Sequence, residues 1–166
     1  MKTTRHQAGV IAYRVEHGEI QVLLITSRDT GRWIIPKGNI DAAVPPYKAA
    51  ELEAYEEGGV KGKIEGSAPL GFYTYSKKRE SQKRSPASVE VYLLRVVKQV
   101  KNWPEKRERK LSWVSIDDAI EQVDEPGIIP LLRRFAELVE FDRTDVLDIG
   151  EAKIRRAIQP QPRAAL

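Results

Sequence analysis

A group of acidic residues in the middle of the chain constrains its fold most strongly. Glu53, Glu56 and Glu57 are spaced i, i+3 and i+4, so an α-helix would carry the three carboxylates within about 100° of arc on one face. Like charges at this spacing cost an isolated helix about 0.2–0.5 kcal/mol per pair, and a divalent cation among the oxygens relieves the repulsion. The same spacing is common on solvated helix faces, so the spacing alone leaves both interpretations open.

The ends of this helix are marked by proline and glycine. Pro45 and Pro46 suit a first turn, where the missing N–H is no loss. The pair Gly58-Gly59 suits the left-handed position that ends a helix. The sequence therefore predicts a helix from about Pro46 to Glu57.

Composition sets the outer limits. The chain has 166 residues, 41% of them hydrophobic, and a formal net charge of +4, which predicts one domain with a sizeable core. The absence of cysteine excludes disulfides, thiolate catalysis and zinc–thiolate sites. Because the N-terminus lacks a signal-like apolar run and no stretch reaches the roughly 20 apolar residues of a membrane span, we expect a cytoplasmic protein with no membrane partner.

Strands are predicted on both sides of the acidic helix. Two of them form a hairpin over residues 7–15 and 20–28, a short extended stretch follows at 33–36, and three more strands follow the helix at 60–65, 71–76 and 88–97. Ser115 can cap a short helix over 116–123. A second amphipathic helix is predicted from Pro130 to about Phe141, with a buried stripe of Leu131, Leu132, Phe135, Leu138 and Val139.

A basic loop separates two of these strands. It contains Lys77, Lys78, Arg79, Lys83 and Arg84. Such a run is usually a solvated loop, but next to a metal site it favours phosphate binding, because a polyanionic substrate needs charge compensation beyond that of the metal.

The residues around the acidic helix resemble the signature of the Nudix hydrolases, G-x5-E-x7-R-E-U-x-E-E-x-G-U, in which U is a bulky aliphatic residue. The positions that fall on the pattern are Gly38, Glu53, Glu56, Glu57, Gly59 and Val60, with the smaller Ala54 in the first U position. Two positions depart from it, since Val44 replaces the first Glu and Leu52 replaces the Arg. We interpret this as the joint replacement of an ion pair by apolar residues, which is often tolerated when the pair is buried.

The resemblance implies an α+β fold, a Nudix-type α/β/α sandwich with a mixed central sheet. We expect the Nudix hydrolase domain to span residues 1–141 and residues 142–166 to be a partly disordered C-terminal extension. Finer features are similar to the diphosphoinositol polyphosphate and diadenosine polyphosphate phosphohydrolases. These features are WIIPKG at residues 33–38, EGGVKGK at 57–63, and Trp103, Arg109 and Trp113 followed by Asp117, Asp118 and Ala119.

The resemblance also implies roles for individual residues. Glu56 and Glu57 would bind Mg²⁺ (or Mn²⁺) together with the carbonyl of Gly38, and Glu53 would be a metal ligand or the general base. Arg109 would contact substrate phosphates, as would Lys77, Lys78, Arg79, Lys83 and Arg84 of the basic loop. Members of the family often use another carboxylate outside the signature. The candidates for it here are Glu90, Glu105 and Glu108, and the sequence does not rank them.

Three functions are compatible with these features. The first is hydrolysis of a phosphoanhydride in a polyphosphorylated small molecule, either a diphosphoinositol polyphosphate or a dinucleoside polyphosphate. The second is hydrolysis of ADP-ribose, a nucleoside triphosphate or a capped RNA end by the same fold; we expect no DNA partner. The third is binding of a nucleotide or inositol phosphate without catalysis, against which the retention of all three glutamates argues.

Overall fold

The computed structural model describes residues 4–78 and 84–143, without the side chains of 77, 78, 84 and 141–143. The strands are β1 (Arg5–Glu16), β2 (Glu19–Thr26), β3 (Trp33–Ile34), β4 (Lys37–Asn39), β5 (Val60–Ile64), β6 (Gly71–Lys78), β7 (Arg84–Gln99) and β8 (Leu111–Ser115). The helices are α1 (Pro46–Gly58), α2 (Ile116–Gln122) and α3 (Ile129–Arg143), and a 3₁₀ turn (Pro126–Ile128) precedes α3.

The strands of the described chain form one mixed sheet. Its main order is β3-β2-β1-β7-β5, while β4 also pairs with β1, β6 with β7, and β8 with β2. The long strands β1 and β7 run parallel, and the other pairs are antiparallel. The first half of β1 therefore lies between β4 and β7, so β4 is held close to the middle of the sheet.

Helices cover both faces of this sheet. On one face, Leu132 and Phe135 of α3 are fully buried against the odd-numbered side chains of β7. On the other face, Ala50 and Ala54 of α1 are fully buried against β1 and β7. This arrangement confirms the predicted α+β sandwich with a mixed sheet.

The predicted helix ends are confirmed. α1 begins at Pro46 and ends at Gly58, and Gly59 takes the left-handed conformation with φ 67°. The side chain of Ser115 accepts a hydrogen bond from the Asp118 N–H at 3.1 Å and so caps α2. The predicted stripe of α3 faces the core.

Two strands were not predicted. β4 is three residues long and β8 is half-buried throughout, so neither has a clear alternation of apolar and polar residues. β8 forms because its backbone pairs with β2, from Gln21 opposite Ser115 to Ile25 opposite Leu111.

Part of the predicted organisation lies outside the described residues. Helix α3 continues through Arg143, two residues past the expected domain boundary. Residues 144–166, which include most of the expected extension, are outside the description, as is the centre of the basic loop at 79–83. No helix in the described ranges combines the length and the apolar character that a membrane span requires.

Candidate active site

Helix α1 places its carboxylates over β4. Because Ala50 and Ala54 pack against the sheet without solvent exposure, the glutamates that follow on this face of α1 are brought to the backbone of Gly38. A Cβ added to Gly38 would lie 2.2 Å from both Cδ and Oε1 of Glu53. Only glycine leaves room for this carboxylate at its observed position, so the backbone of β4 lies directly against Glu53 of the acidic helix.

Glu57 is the most buried of the three carboxylates. Its side chain is 6% exposed, and its Oε1 accepts a hydrogen bond of 2.8 Å from the Lys37 backbone N–H. Its Oε2 contacts the guanidinium of Arg109. Burial raises the pKa of Glu57 to about 7, against the opposing effect of Arg109.

The crowding predicted from the spacing is present as well. Burial raises the pKa of Glu53, and the negative charges of Glu56 and Glu105 raise it further. Glu105 belongs to the segment before β8, and its backbone N–H donates a 3.0 Å hydrogen bond to the carbonyl of Glu56. Glu53, Glu56, Glu57 and Glu105 therefore share one region, in which neighbouring negative charges disfavour the ionisation of Glu53 and Glu57.

Arg109 supplies the positive charge at the centre of this group. Its side chain is 7% exposed, and Nη2 lies 3.1 Å from Oε1 of Glu105 as well as contacting Glu57. Its Nη1 donates to the Thr26 carbonyl at 2.9 Å, while its buried Nε finds no hydrogen-bond partner among the described residues. Contact of Arg109 with substrate phosphates stays a prediction.

Of the three candidates for a further carboxylate, only Glu105 is seen to contact Arg109 and the α1 glutamates. It forms an ion pair with Arg28 at 3.2 Å, and Glu108 lies 3.7 Å from the same Arg28 nitrogen with about half of its side chain exposed. Glu90 lies on β7, where its Oε2 accepts a 2.9 Å hydrogen bond from the Tyr92 hydroxyl.

The donor set fits a hard divalent cation in its chemistry. Carboxylate oxygens and a backbone carbonyl are the ligands that Mg²⁺ and Mn²⁺ prefer, and a cation would offset the repulsion that Glu56 and Glu105 exert on Glu53. As the side chains stand, however, no three acidic or histidine groups in the described part of the chain converge tightly enough to hold an ion. Arg109 engages one oxygen of Glu57 instead.

A buried polar cluster on the opposite face of the sheet fixes β4. The Lys37 ammonium lies 3.0 Å from Oε1 of Glu125, and both side chains are largely buried. The Tyr73 hydroxyl donates to the same oxygen at 2.8 Å, and the ring of Tyr75 lies 4.7 Å from the Lys37 ammonium. Burial lowers the pKa of Lys37. Sequence reasoning missed this cluster, because the contacts join residues far apart in the chain that carry no shared motif.

Three of the basic residues, Lys77, Lys78 and Arg84, lie where β6 and β7 pair next to this cluster, and we call this end of the two strands the basic hairpin. In the backbone, Lys77 pairs with Ser85 and Lys78 pairs with Arg84. The first basic residue therefore lies two positions beyond Tyr75. Arg79 and Lys83 are outside the described residues. The base of the hairpin is thus at the end of the sheet where β4 lies, and phosphate binding by these five residues stays a prediction.

Burial does not explain why Val44 and Leu52 can replace the Glu and Arg of the signature. Val44 is 37% exposed and Leu52 is 52% exposed. The inward face of α1 is set by Ala50, Ala54 and Glu57, at i, i+4 and i+7, so Leu52 must point outward. Leu52 instead lines a surface groove of about 350 Å³ between α1 and β5, to which none of the three site glutamates contributes.

The fold and site together define a class of protein in which a glutamate-bearing helix is docked against a glycine on a mixed sheet. The chain matches the NUDIX domain over residues 3–135. It therefore belongs to the Nudix hydrolase family, as the signature predicted.

Relatives and solved structures agree with this assignment. The chain is 36% identical over 121 residues to Nudix hydrolase 21, chloroplastic, of Arabidopsis thaliana, covering 70% of this chain and 59% of the relative's length. It is 31% identical over 118 residues to human diphosphoinositol polyphosphate phosphohydrolase 3-beta, covering 70% and 67% of the two chains. A binary complex of an Ap4A hydrolase from C. elegans has the same fold, with a TM-score of 0.63 at 24% identity over 83% of this chain and 99% of that one.

Proposed function

We propose that this protein is a divalent-metal-dependent phosphohydrolase that cleaves a phosphoanhydride bond in a polyphosphorylated small molecule. The observation that carries the proposal is the position of the Glu53 and Glu57 carboxylates at the backbone of Gly38 and Lys37, next to Arg109. The substrate classes we favour are diphosphoinositol polyphosphates and dinucleoside polyphosphates. The names of the human relative and of the C. elegans structure support this choice, as does the basic hairpin.

The proposed cofactor is Mg²⁺ or Mn²⁺. Glu53, Glu56 and Glu57 would hold it together with the Gly38 carbonyl. When bound, such an ion neutralises charge on the phosphates and lowers the pKa of a coordinated water.

Substrate positioning and proton transfer would depend on the protein's own side chains. Phosphoryl transfer depends mainly on positioning and on charge stabilisation, and a buried guanidinium is well suited to both because it binds phosphate oxygens in pairs. Arg109 would serve this purpose, because its guanidinium lies directly at the Glu57 carboxylate that would hold the cation. Glu53, whose pKa is raised, would be a metal ligand or accept a proton from the attacking water.

The test is phosphate release in the presence of Mg²⁺ from a panel of inositol pyrophosphates, dinucleoside polyphosphates, ADP-ribose and capped RNA. Glu57→Gln removes a charge from the cluster, and Glu51→Gln on the outer face of α1 is the matched control. We expect release from a polyphosphorylated substrate that Glu51→Gln retains and Glu57→Gln loses by about 100-fold or more. Equal rates in the two variants would refute the assignment of the site, and binding without turnover would support the non-catalytic function.

A further inference from the structure

One row of paired residues crosses the sheet from the carboxylate site to an exposed surface. In the strand register, Gly38 on β4 lies opposite Ala8 on β1, Ala8 lies beside Glu90 on β7, and Glu90 lies opposite Phe72 on β6. Residues that face each other across paired strands share one face of the sheet. Glu90 and Phe72 therefore lie on the same face as Glu53.

Phe72 is conspicuous on this face because it is exposed. Its neighbours along β6, Gly71 and Tyr73, face the α3 core, where Tyr73 is 5% exposed. Phe72 points the other way and is 60% exposed. In the next row, Thr74 and Ser88 are paired and are not buried either. We call Phe72, Thr74, Ser88 and Glu90 the open shelf.

The open shelf combines an aromatic ring with a fixed hydrogen-bond acceptor. The Tyr92 hydroxyl donates to Oε2 of Glu90 at 2.9 Å, which restrains the carboxylate beside Phe72. The remaining lone pairs of that carboxylate can accept hydrogen bonds from an exocyclic amino group. A flat, amino-bearing ring stacked on Phe72 would satisfy both features.

The distance across the sheet from Phe72 to Gly38 suits a nucleotide. Three strand spacings of about 4.8 Å separate the backbones of Phe72 and Gly38, or about 14 Å in all. A ribose with two or three phosphates spans a gap of this size, so a base on Phe72 would leave its phosphate chain at Glu53. The same face continues along β6 and β7 to the basic hairpin.

We propose that the open shelf binds the adenine-type base of a nucleotide substrate, with Phe72 as the stacking surface and Glu90 as the acceptor for the exocyclic amino group. This inference rests on the proposed function, because it assigns the substrate class of the same site. It favours dinucleoside polyphosphates over diphosphoinositol polyphosphates, since an inositol ring has no aromatic face to stack.

The test compares two exposed apolar side chains. Phe72→Ala removes the proposed stacking surface, and Val97→Ala removes an apolar side chain of β7 that is 71% exposed. Isothermal titration with AMP should show affinity weakened about 5- to 150-fold by Phe72→Ala, unchanged by Val97→Ala, and largely restored in Phe72→Tyr. Unchanged AMP affinity in Phe72→Ala would overturn the proposal.

Kinetics give a second readout. Phe72→Ala should raise KM for diadenosine tetraphosphate while leaving KM for a diphosphoinositol polyphosphate unchanged. An equal loss on both substrates would mean that Phe72 supports the fold rather than the base, and would overturn the proposal. AMP binding requires no turnover, so a failed hydrolysis assay would count against the proposed function without deciding the role of Phe72.

Discussion

Gly38 connects the backbone of the sheet to the chemistry of the site. Its missing side chain is the space that the Glu53 carboxylate fills, and an added Cβ would lie 2.2 Å from Cδ and Oε1 of Glu53. The atoms in conflict are at the end of a flexible side chain, so the conflict can be relieved by moving Glu53. Gly38 therefore matters for where a carboxylate points and less for whether the chain folds.

We expect Gly38→Ala to lower kcat about 100-fold with little change in melting temperature, because a displacement of about 1 Å in a catalytic group has an effect of this size. Steady-state kinetics and thermal denaturation of the same preparation would test this. A variant with wild-type kcat would show that Glu53 does not act from this position.

The burial of Glu57 predicts a pH effect on stability. Its pKa is about 7 in the folded protein and near 4.3 in an unfolded chain, so between these values the folded state holds the extra proton. Stability then falls as pH rises. From pH 4.3 to 7 the contribution of Glu57 amounts to about 3 kcal/mol of unfolding free energy lost, and it is constant above pH 7.

The measurement is the difference in unfolding free energy between Glu57→Gln and the wild-type chain, in chelator, from pH 4 to 8. We expect Glu57→Gln to gain stability relative to the wild type as pH rises from 4.3 to 7. A difference that is constant over this range would show that the folded-state pKa of Glu57 is not raised.

At the scale of elements, β4 is short and depends on side chains for its position. Three residues provide few backbone hydrogen bonds, and the buried pair of Lys37 and Glu125 ties the strand to the segment before α3. The preceding strand β3 is held to the same segment, because the Trp33 N–H donates to Oδ2 of Asp124 at 2.7 Å. These contacts hold Gly38 beneath α1.

Removing the acidic partner should therefore destabilise the protein. Glu125→Ala leaves the Lys37 ammonium buried and unpaired, which typically costs about 3–5 kcal/mol. Glu121→Ala, at an exposed position of α2, is the control and should cost less than about 0.5 kcal/mol. Urea denaturation would measure both, and equal costs would show that the buried pair does not stabilise β4.

The elements differ in how far the sequence predicted them. Helix α1 was predictable because the flanking prolines and glycines and the spacing of its glutamates act locally, and each of these signals marks its position within a few residues. The strands β4 and β8 were not, because their pairing with β1 and β2 is decided by tertiary contacts. The exposure of Leu52 could have been predicted from the helix, since its position is set by the same angle that buries Ala50 and Ala54.

At the scale of the whole molecule, the site is assembled from distant segments. The segment that carries Glu105 and Arg109 docks on the end of α1, where the ring of Trp103 lies against Gly59 and Val100 donates a 2.8 Å hydrogen bond to the Gly59 carbonyl. The sequence indicated Arg109 only through the family resemblance. Its pairing with Glu57 depends on this docking, for which the local pattern gives no signal.

The net charge of +4 and the basic hairpin predict that substrate binding depends on salt. We expect KM for a polyanionic substrate to rise several-fold between about 50 mM and 0.5 M NaCl, because the distance over which exposed charges are screened falls from about 14 Å to about 4 Å over this range. Replacing both Lys77 and Lys78 by Gln should reduce that salt dependence. An unchanged salt dependence in the double variant would show that the hairpin does not contact the substrate.

The central claim is that folding gathers the carboxylates of α1 to bind a divalent cation. A Mn²⁺ titration followed by electron paramagnetic resonance tests it directly, without requiring the substrate to be known. The account predicts that the wild-type chain and Glu51→Gln bind Mn²⁺ with equal affinity and that Glu57→Gln binds at least about ten-fold more weakly. Equal affinity in all three chains, or no binding in the wild type, would contradict it.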